Sequence, residues 1–244
     1  MRMEGGLIRR RWHSTRCFVE KSAERSHAAP SGGSRQSCCI TAAPTALVAL
    51  LLCPTNPSTL ENAKSFPQAA SDYDTSGDGR EHKLHSGKWD WHSYVLQGRR
   101  QEDFREHCAL TASLLDGVAE HMVGTPFSFS FFSTLHGGSS IAPHTAPCNL
   151  RLRCHLPITV PSGDPSKCGM RVGGETRPWE EGKCLVFDDC YEHEVWNKTE
   201  GERVLLLFDL WHPDLAEEER LAVTDMFGYA ARQGWLKGDM EGTR

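Results

Sequence analysis

The chain has 244 residues, of which 39% are hydrophobic and 24% are charged, and its formal net charge is −5. This composition is typical of a globular domain with a hydrophobic core. Because the chain has no strong basic field, we expect no nucleic-acid partner. Twelve histidines are many for this length. Since histidine is the commonest transition-metal ligand, their positions bear on a possible metal site.

Ten cysteines are scattered along the chain, and none of them belongs to a CxxC pair. A structural zinc site is therefore not expected. Several of the cysteines lie in apolar runs, which favours buried free thiols over disulfides. Pairing among Cys108, Cys148 and Cys168 stays open, because it depends on whether the domain folds in an oxidising compartment.

Residues 1–80 differ in composition from the rest of the chain. A basic segment with few acidic residues precedes an apolar run at residues 39–53. This run is shorter than the roughly 20 residues of a membrane-spanning helix. We expect a membrane anchor or a cleaved targeting segment that directs the protein to the secretory pathway, a membrane or an organelle. The Pro-, Ser- and Gly-rich stretch that follows predicts a disordered linker. Residues 81–240 are expected to form the folded domain.

The folded domain is predicted to combine two helices with a series of short strands. Glu102–Met122 and Leu215–Leu236 have the features of an amphipathic helix and a closing helix, respectively. Between them, short apolar or alternating segments are separated by turn residues, which favours a β-sandwich or barrel. The predicted strands are Phe127–Leu135, Asn149–Val160, Gly169–Val172, Lys183–Phe187, His193–Asn197 and Arg203–Trp211.

Two of these strands carry charges that need an explanation. Arg151, Arg153 and His155 share one face of their strand, because successive side chains alternate between the two sides. This face is either solvated or, inside a barrel, paired with other groups, since buried charges need partners. Arg203 leads into a strongly apolar strand face. A lone arginine in that position predicts a bound anion, usually a carboxylate held by two parallel hydrogen bonds.

A series of short motifs follows these strands in a fixed order. They are His144–Pro147, Arg151–Leu156, Glu175–Lys183, Phe187–Asp189, Glu192–Trp196, Arg203 and Asp209–Pro213. In order and nearly in spacing, the combination resembles the aspartyl/asparaginyl β-hydroxylases, a family of iron(II)- and 2-oxoglutarate-dependent oxygenases. The resemblance is strong over Pro126–Leu215 and weaker from Trp89 onward. It implies a mainly β fold with flanking helices, the double-stranded β-helix of jelly-roll and cupin-like proteins.

The resemblance implies an iron(II) site at His144 and His193. Most related iron enzymes have a carboxylate two residues after the first histidine, but that position is Ala146, which cannot ligate. The family also lacks this carboxylate, so two oxygens of 2-oxoglutarate and water would fill most of the coordination sphere. Asp188 and Asp189 stand close before His193. Support of the metal ligands and capping of the acidic turn are equally consistent roles for them.

The resemblance also implies the contacts to the cosubstrate. Arg203 would pair with the distal carboxylate of 2-oxoglutarate, and it would form the catalytic set together with His144 and His193. The other implied contacts are Trp89, Ser133, Arg153 and His155, and Trp91 is the alternative to Trp89.

The predicted activity is the hydroxylation of Asp or Asn side chains in a protein or peptide, by a monomeric enzyme that uses iron(II), 2-oxoglutarate and O2. Two alternatives use the same fold, namely hydroxylation of a lipid or small molecule and a non-catalytic binding module. A cupin-like metal isomerase is a further alternative. Arg203 argues against it, because an isomerase needs no carboxylate clamp.

The chain departs from the family's pattern at several positions. The loop Pro161–Lys167 is longer than usual, which leaves the substrate open because loops at the rim of a barrel shape the substrate cleft. Cys148 and Cys154 stand where the family often has Thr and Met. None of these departures removes a predicted ligand.

Overall fold

The computed structural model describes residues 71–72 and 84–236 of the chain. The predicted targeting segment at residues 39–53 and nearly all of the predicted linker lie outside these residues. Within the described residues, no helix has both the length and the apolar character needed to cross a membrane.

Two antiparallel sheets and three helices make up the described part of the domain. The helices are α1 (Glu102–His107), α2 (Ala109–Asp116) and α3 (Glu217–Arg232). The strands are β1 (His85–Ser86), β2 (Trp89–Leu96), β3 (Arg99–Arg100), β4 (Ser130–Leu135), β5 (Ser139–His144), β6 (Arg151–Thr159), β7 (Cys168–Val172), β8 (Glu175–Arg177), β9 (Leu185–Phe187), β10 (His193–Asn197) and β11 (Arg203–Trp211).

The chain winds back and forth between the two sheets. The larger sheet has the strand order β3-β2-β4-β11-β6-β9, and the smaller sheet has the order β1-β5-β10-β7-β8. From β4 to β7, and again from β9 to β11, each strand lies in the opposite sheet to the strand before it. This alternation is the winding of a jelly roll. The predicted fold, a mainly β double-stranded β-helix with flanking helices, is confirmed.

The larger sheet is covered on both faces, because its side chains alternate between the two sides. The outer face packs against α1 and α2. The buried residues on this side include Tyr94, Phe104, Leu115, Phe132, Cys154, Leu206 and Phe208. The inner face packs against the smaller sheet. The buried residues between the sheets include Leu135, Ile141, Met170, Trp179, Phe187, Val195 and Leu205.

The sequence prediction was wrong for the helix Glu102–Met122, which is two short helices. Cys108 interrupts it with a non-helical backbone (φ −127°, ψ 46°). The second helix ends at Asp116, because the chain beyond it pairs with the end of β11. There the N–H of Met122 donates to the carbonyl oxygen of Asp209 at 2.8 Å.

Several strands were not predicted, among them β2 and β5. Neither has a clear alternation of apolar and polar residues, and their places are set by pairing with β4 and β10. The strands β10 and β11 have the predicted bounds. The six cysteines of the described residues are free thiols, as their apolar surroundings favoured.

Leu206 and Leu221 provide a matched test of the outer core. Leu206 is fully buried, whereas Leu221 on α3 is 60% exposed. We expect Leu206→Ala to lower the free energy of unfolding by about 2–5 kcal/mol, because it removes buried methyl groups and leaves a cavity. Leu221→Ala should change it by no more than about 0.5 kcal/mol. Urea denaturation measures both, and equal losses would contradict this placement of the core.

Candidate functional site

Two histidines meet where β5 and β10 pair. His144 ends β5, His193 begins β10, and the two residues are direct partners in the antiparallel register. Their ring centroids are 4.1 Å apart and their planes are tilted by 53°. The sheet thus places side by side two imidazoles that are far apart in the sequence.

Both imidazoles are oriented by backbone carbonyls. Nδ1 of His144 donates to the carbonyl oxygen of Ala142 at 2.8 Å, and Nδ1 of His193 donates to that of Tyr191 at 2.9 Å. Because a carbonyl only accepts, the proton of each neutral ring is on Nδ1 and Nε2 keeps its lone pair. Metal-binding histidines are commonly oriented in this way. Both rings therefore fit a metal ion at Nε2.

His193 is buried, and burial sets its protonation state. Burial is the largest cause that lowers the pKa of His193, to about 4, and the nearby His144 is the next largest. The imidazole is therefore neutral at physiological pH, as a metal ligand must be. No group of three or more His, Cys, Asp and Glu side chains within residues 84–236 is arranged to hold a metal ion. Ala146, at the position where related iron enzymes have a carboxylate, has no side-chain atom that could ligate.

Arg203 is a cation buried between the sheets. It is 1% exposed, and its guanidinium lies 4.9 Å from the ring of Trp179. Nη2 donates to Oγ of Ser133 at 3.1 Å, while Nε is buried and has no hydrogen-bond partner among the described residues. Burial lowers the pKa of Arg203 to about 10. A buried charge with an unsatisfied donor requires an anion, because its desolvation is otherwise uncompensated.

Ser133 connects Arg203 to a tryptophan. Its Oγ also accepts a hydrogen bond from Nε1 of Trp89 at 2.9 Å. Since this oxygen accepts twice, the hydroxyl hydrogen is left to donate to a third group. Trp91 stacks on Phe131 instead, with ring centroids 4.2 Å apart. Of the two tryptophans considered from the sequence, Trp89 is therefore the one bonded to Ser133.

His155 adds a donor to the same inner face. Its Nδ1 accepts a hydrogen bond from Nε1 of Trp179 at 3.3 Å. Burial, reinforced by the charges of Arg203 and Arg153, holds the pKa of His155 well below its usual range. The ring is therefore neutral, and its proton lies on Nε2. This N–H suits an anionic or carbonyl oxygen in the space between the sheets.

Arg151 and Arg153 belong to a buried ionic network with two aspartates. Nη2 of Arg151 donates to Asp189 at 2.7 Å, and Nη1 donates to Asp209 at 3.1 Å. Arg153 forms a bidentate pair with Asp209 through Nε and Nη2, at 2.9 and 3.1 Å. Both carboxylates are fully buried. The cationic strand face is therefore paired within the protein, and the predicted contact of Arg153 with the cosubstrate stays a prediction.

The two aspartates before His193 have different surroundings. Asp189 takes part in the ionic network, and the N–H of Ala146 donates to its carbonyl oxygen at 2.8 Å. Asp188 accepts a hydrogen bond from the N–H of Cys190 at 2.9 Å, so it caps the turn. Capping of the turn, one of the two roles considered from the sequence, is thus filled by Asp188. Support of the metal ligands by Asp189 stays a prediction.

The comparisons with known proteins agree with this geometry. The sequence model of the family described as Aspartyl/Asparaginyl beta-hydroxylase matches residues 58–213. The chain belongs to this family.

Two relatives illustrate the extent of the similarity. The chain is 39% identical over 135 residues to the aspartyl/asparaginyl beta-hydroxylase of Mus musculus, which covers 54% of this chain and 18% of that protein. It is 36% identical over 145 residues to the aspartate beta-hydroxylase domain-containing protein 2 of Mus musculus. This match covers 58% of this chain and 41% of that protein. The matched segment therefore spans less than half of either relative.

A solved prolyl-4-hydroxylase from Pseudomonas putida is also similar, with 14% identity and a TM-score of 0.41. It covers 71% of this chain and 91% of that chain.

Sequence reasoning missed the roles of two residues on the inner face of the larger sheet in this hydroxylase-family domain. Trp179 contacts both Arg203 and His155, and Asp209 pairs with both Arg151 and Arg153. Trp179 and Asp209 lie inside the quoted motifs, which was the available signal. Their partners come from other strands, so their contacts depend on the register of the sheets.

The buried neutral state of His193 predicts a pH dependence of stability in the metal-free protein. The pKa of His193 is about 4 in the folded chain and about 6.5 when unfolded. Between these two pH values only the unfolded chain binds a proton at His193. The contribution of the neutral His193 to the free energy of unfolding is therefore full above pH 6.5 and is lost as the pH falls towards 4. His193→Asn should flatten this part of the curve by on the order of 1 kcal/mol per pH unit.

Urea denaturation at several pH values between 4 and 7 measures this effect. The same substitution at His107, which is exposed on α1, is the control. A His193→Asn curve that runs parallel to that of the wild type would contradict a buried, neutral His193.

Proposed function

We propose that the chain is an iron(II)- and 2-oxoglutarate-dependent dioxygenase that hydroxylates Asp or Asn side chains of a protein or peptide. The observation that carries the proposal is the buried Arg203, whose charge has no carboxylate partner among the described residues and whose Nε has no hydrogen-bond partner there. The site therefore calls for an anion close to two metal-competent histidines.

The chemistry of 2-oxoglutarate suits this arrangement. One end of the molecule is a 2-oxo acid, which chelates metal ions, and the other end is a second carboxylate. Arg203 and the hydroxyl of Ser133 offer donors for the distal carboxylate, and Trp89 holds Ser133 in place. Nε2 of His155 supplies a further donor. The carboxylate would compensate the charge of Arg203, which the protein leaves unpaired.

The protein's part in the reaction is to hold and shield the reactants. The Nε2 atoms of His144 and His193 would bind the iron ion, which supplies the activation of O2 when it is bound. The hydrophobic walls Trp179, Phe187 and Leu205 are at most 1% exposed, so they exclude water from one side of the space. A low-dielectric surrounding also strengthens the contact between Arg203 and a carboxylate.

The choice of Asp or Asn as the substrate side chain is supported by the relatives. The Mus musculus relative with 39% identity is named aspartyl/asparaginyl beta-hydroxylase. The segment that the family model matches, residues 58–213, contains the two histidines and Arg203. A protein or peptide that presents an Asp or Asn side chain is therefore the proposed partner.

The cosubstrate chemistry is tested by the formation of succinate from 2-oxoglutarate in the presence of iron(II). We expect wild-type turnover and at least about a 100-fold loss in His193→Ala, because one of the two protein ligands is removed. His107→Ala, far from the site on α1, should keep the wild-type rate. Equal turnover in His193→Ala would contradict the metal site, and no binding of 2-oxoglutarate by the wild type would contradict the assignment.

The substrate is tested with peptides that differ only at one position, carrying Asp, Asn, Glu or Gln. We expect mass spectrometry to find one added oxygen atom on the Asp and Asn peptides, and no addition on the longer side chains, because the reactive carbon must sit at a fixed distance from the metal. Oxygen addition to a lipid but to none of the peptides would contradict the proposed substrate.

A further inference from the structure

Two cysteines lie in the loops next to the two histidines. Cys148 follows β5, shortly after His144, and Cys190 precedes β10, shortly before His193. Both are half-buried, whereas the other four described cysteines are buried. They are thus the cysteines of the described part of the chain that a small reagent in solution reaches most easily.

The two loops are already in contact through hydrogen bonds. The N–H of Ala146 donates to the carbonyl oxygen of Asp189 at 2.8 Å, and the thiol of Cys190 donates to the carbonyl oxygen of Cys148 at 3.1 Å. A carbonyl oxygen lies about 2.4 Å from its own Cα, so Sγ of Cys190 is within about 5.5 Å of Cα of Cys148. The two thiols are also close enough to interact electrostatically, because Cys148 is among the groups that raise the pKa of Cys190. We therefore expect the two Cα atoms to lie near the range of about 4.4–6.8 Å that disulfides join, so that rotation of the side chains brings the sulfurs together.

We propose that Cys148 and Cys190 form a disulfide that cross-links the loops carrying His144 and His193. The bridge itself follows from the contacts between the loops, and only its effect on iron binding rests on the proposed function. A two-histidine site relies on the positions of these loops more than a three-ligand site does. A covalent link between them would therefore limit the separation of the two ligands.

The oxidant in this proposal is a small disulfide such as glutathione disulfide. One protein thiol loses its proton, and its thiolate attacks the small disulfide and expels one glutathione thiolate. The second protein thiolate then attacks the mixed disulfide and expels the other glutathione. The protein loses two electrons and two protons. The small disulfide gains them and becomes two thiols.

The surroundings of the two thiols set the order and speed of these steps. Burial, together with the carboxylates of Asp188 and Asp189, raises the pKa of Cys190 to about 12. Burial also raises the pKa of Cys148, although the N–H of Leu150 and the charge of Arg151 oppose this. Cys148 is therefore the first nucleophile, and bridge formation accelerates with increasing pH. High pKa values also make both thiols poor leaving groups, so the finished bridge is reduced slowly.

Peptide mapping of the full chain tests the bridge. The metal-free protein is incubated with glutathione disulfide, alkylated and digested without reductant. We expect a linked peptide pair that contains Cys148 and Cys190, and a melting temperature higher by on the order of 5 °C, because the cross-link restricts the unfolded chain. Both changes should disappear after treatment with a dithiol.

Variants separate this pair from the other neighbouring thiols. Cys154 and Cys184 also share a hydrogen bond, but they are buried in the outer core. Cys184→Ser should keep the bridge, whereas Cys148→Ser and Cys190→Ser should each abolish it. A bridge between Cys154 and Cys184, or glutathione attached to Cys148 without a bridge, would overturn the proposal.

The effect on the metal site has its own measurement. After removal of the oxidant, the bridged and reduced proteins are titrated with iron(II) under anaerobic conditions. We expect the bridged form to bind iron a few-fold more tightly, because the two histidines are held closer to their bound positions. Equal affinities would overturn the role of the bridge in metal binding. Absence of iron binding in both forms would overturn the proposed function instead, and the peptide map would still decide the bridge.

Discussion

The guanidinium of Arg203 is a positive charge placed in the hydrophobic space between two sheets. Arg151 and Arg153 lie on the same sheet, but Asp189 and Asp209 neutralise them. Arg203 has instead the hydroxyl of Ser133 and the face of Trp179, and neither carries a charge. Since burial of an uncompensated ion costs several kcal/mol, the proposed function assigns an anion from outside the chain to this part of the domain.

The double-stranded β-helix brings further polar groups to the inner faces of the two sheets. Arg203 and His155 come from the larger sheet, and His144 and His193 come from the smaller sheet. The sheets face each other, so in the proposed function a molecule between them would contact the cation of one sheet and the histidines of the other. The ionic network contributes by tying β6 and β11 to the turn before His193, because Arg151 contacts both Asp209 and Asp189. The turn before His193 is thus held by the same charges that neutralise the strand face.

The sequence predicted the elements whose patterns are strong and local. β11 is a long apolar strand that begins at Arg203, and β10 alternates clearly, so both had the predicted bounds. β2 contains Trp89 and Trp91 next to polar residues, and its position depends on pairing with β4, which is distant in sequence. The helix after Glu102 was predicted too long, because pairing of Met122 with β11 competes with helical spacing.

The candidate site was predictable only in part, because some of its features are local sequence patterns and others depend on pairing between distant strands. The lone arginine before an apolar face indicated an anion from the pattern alone, whereas the roles of the histidines came from the family resemblance. The pairing of Asp209 with Arg151 and Arg153, and the contacts of Trp179, involve residues from separate strands. Such contacts follow from the register of the sheets, which the sequence pattern does not determine.

In the proposed function, the unpaired charge of Arg203 binds the distal carboxylate of a 2-oxo acid. The most direct measurement is the affinity of the iron(II)-loaded protein for 2-oxoglutarate and for 2-oxopentanoate, which lacks that carboxylate. We predict that wild type binds 2-oxoglutarate at least about 100-fold more tightly, since a buried charge-assisted contact contributes about 3 kcal/mol or more. The difference should nearly vanish in Arg203→Gln. Equal affinity of the wild type for the two acids would contradict the account.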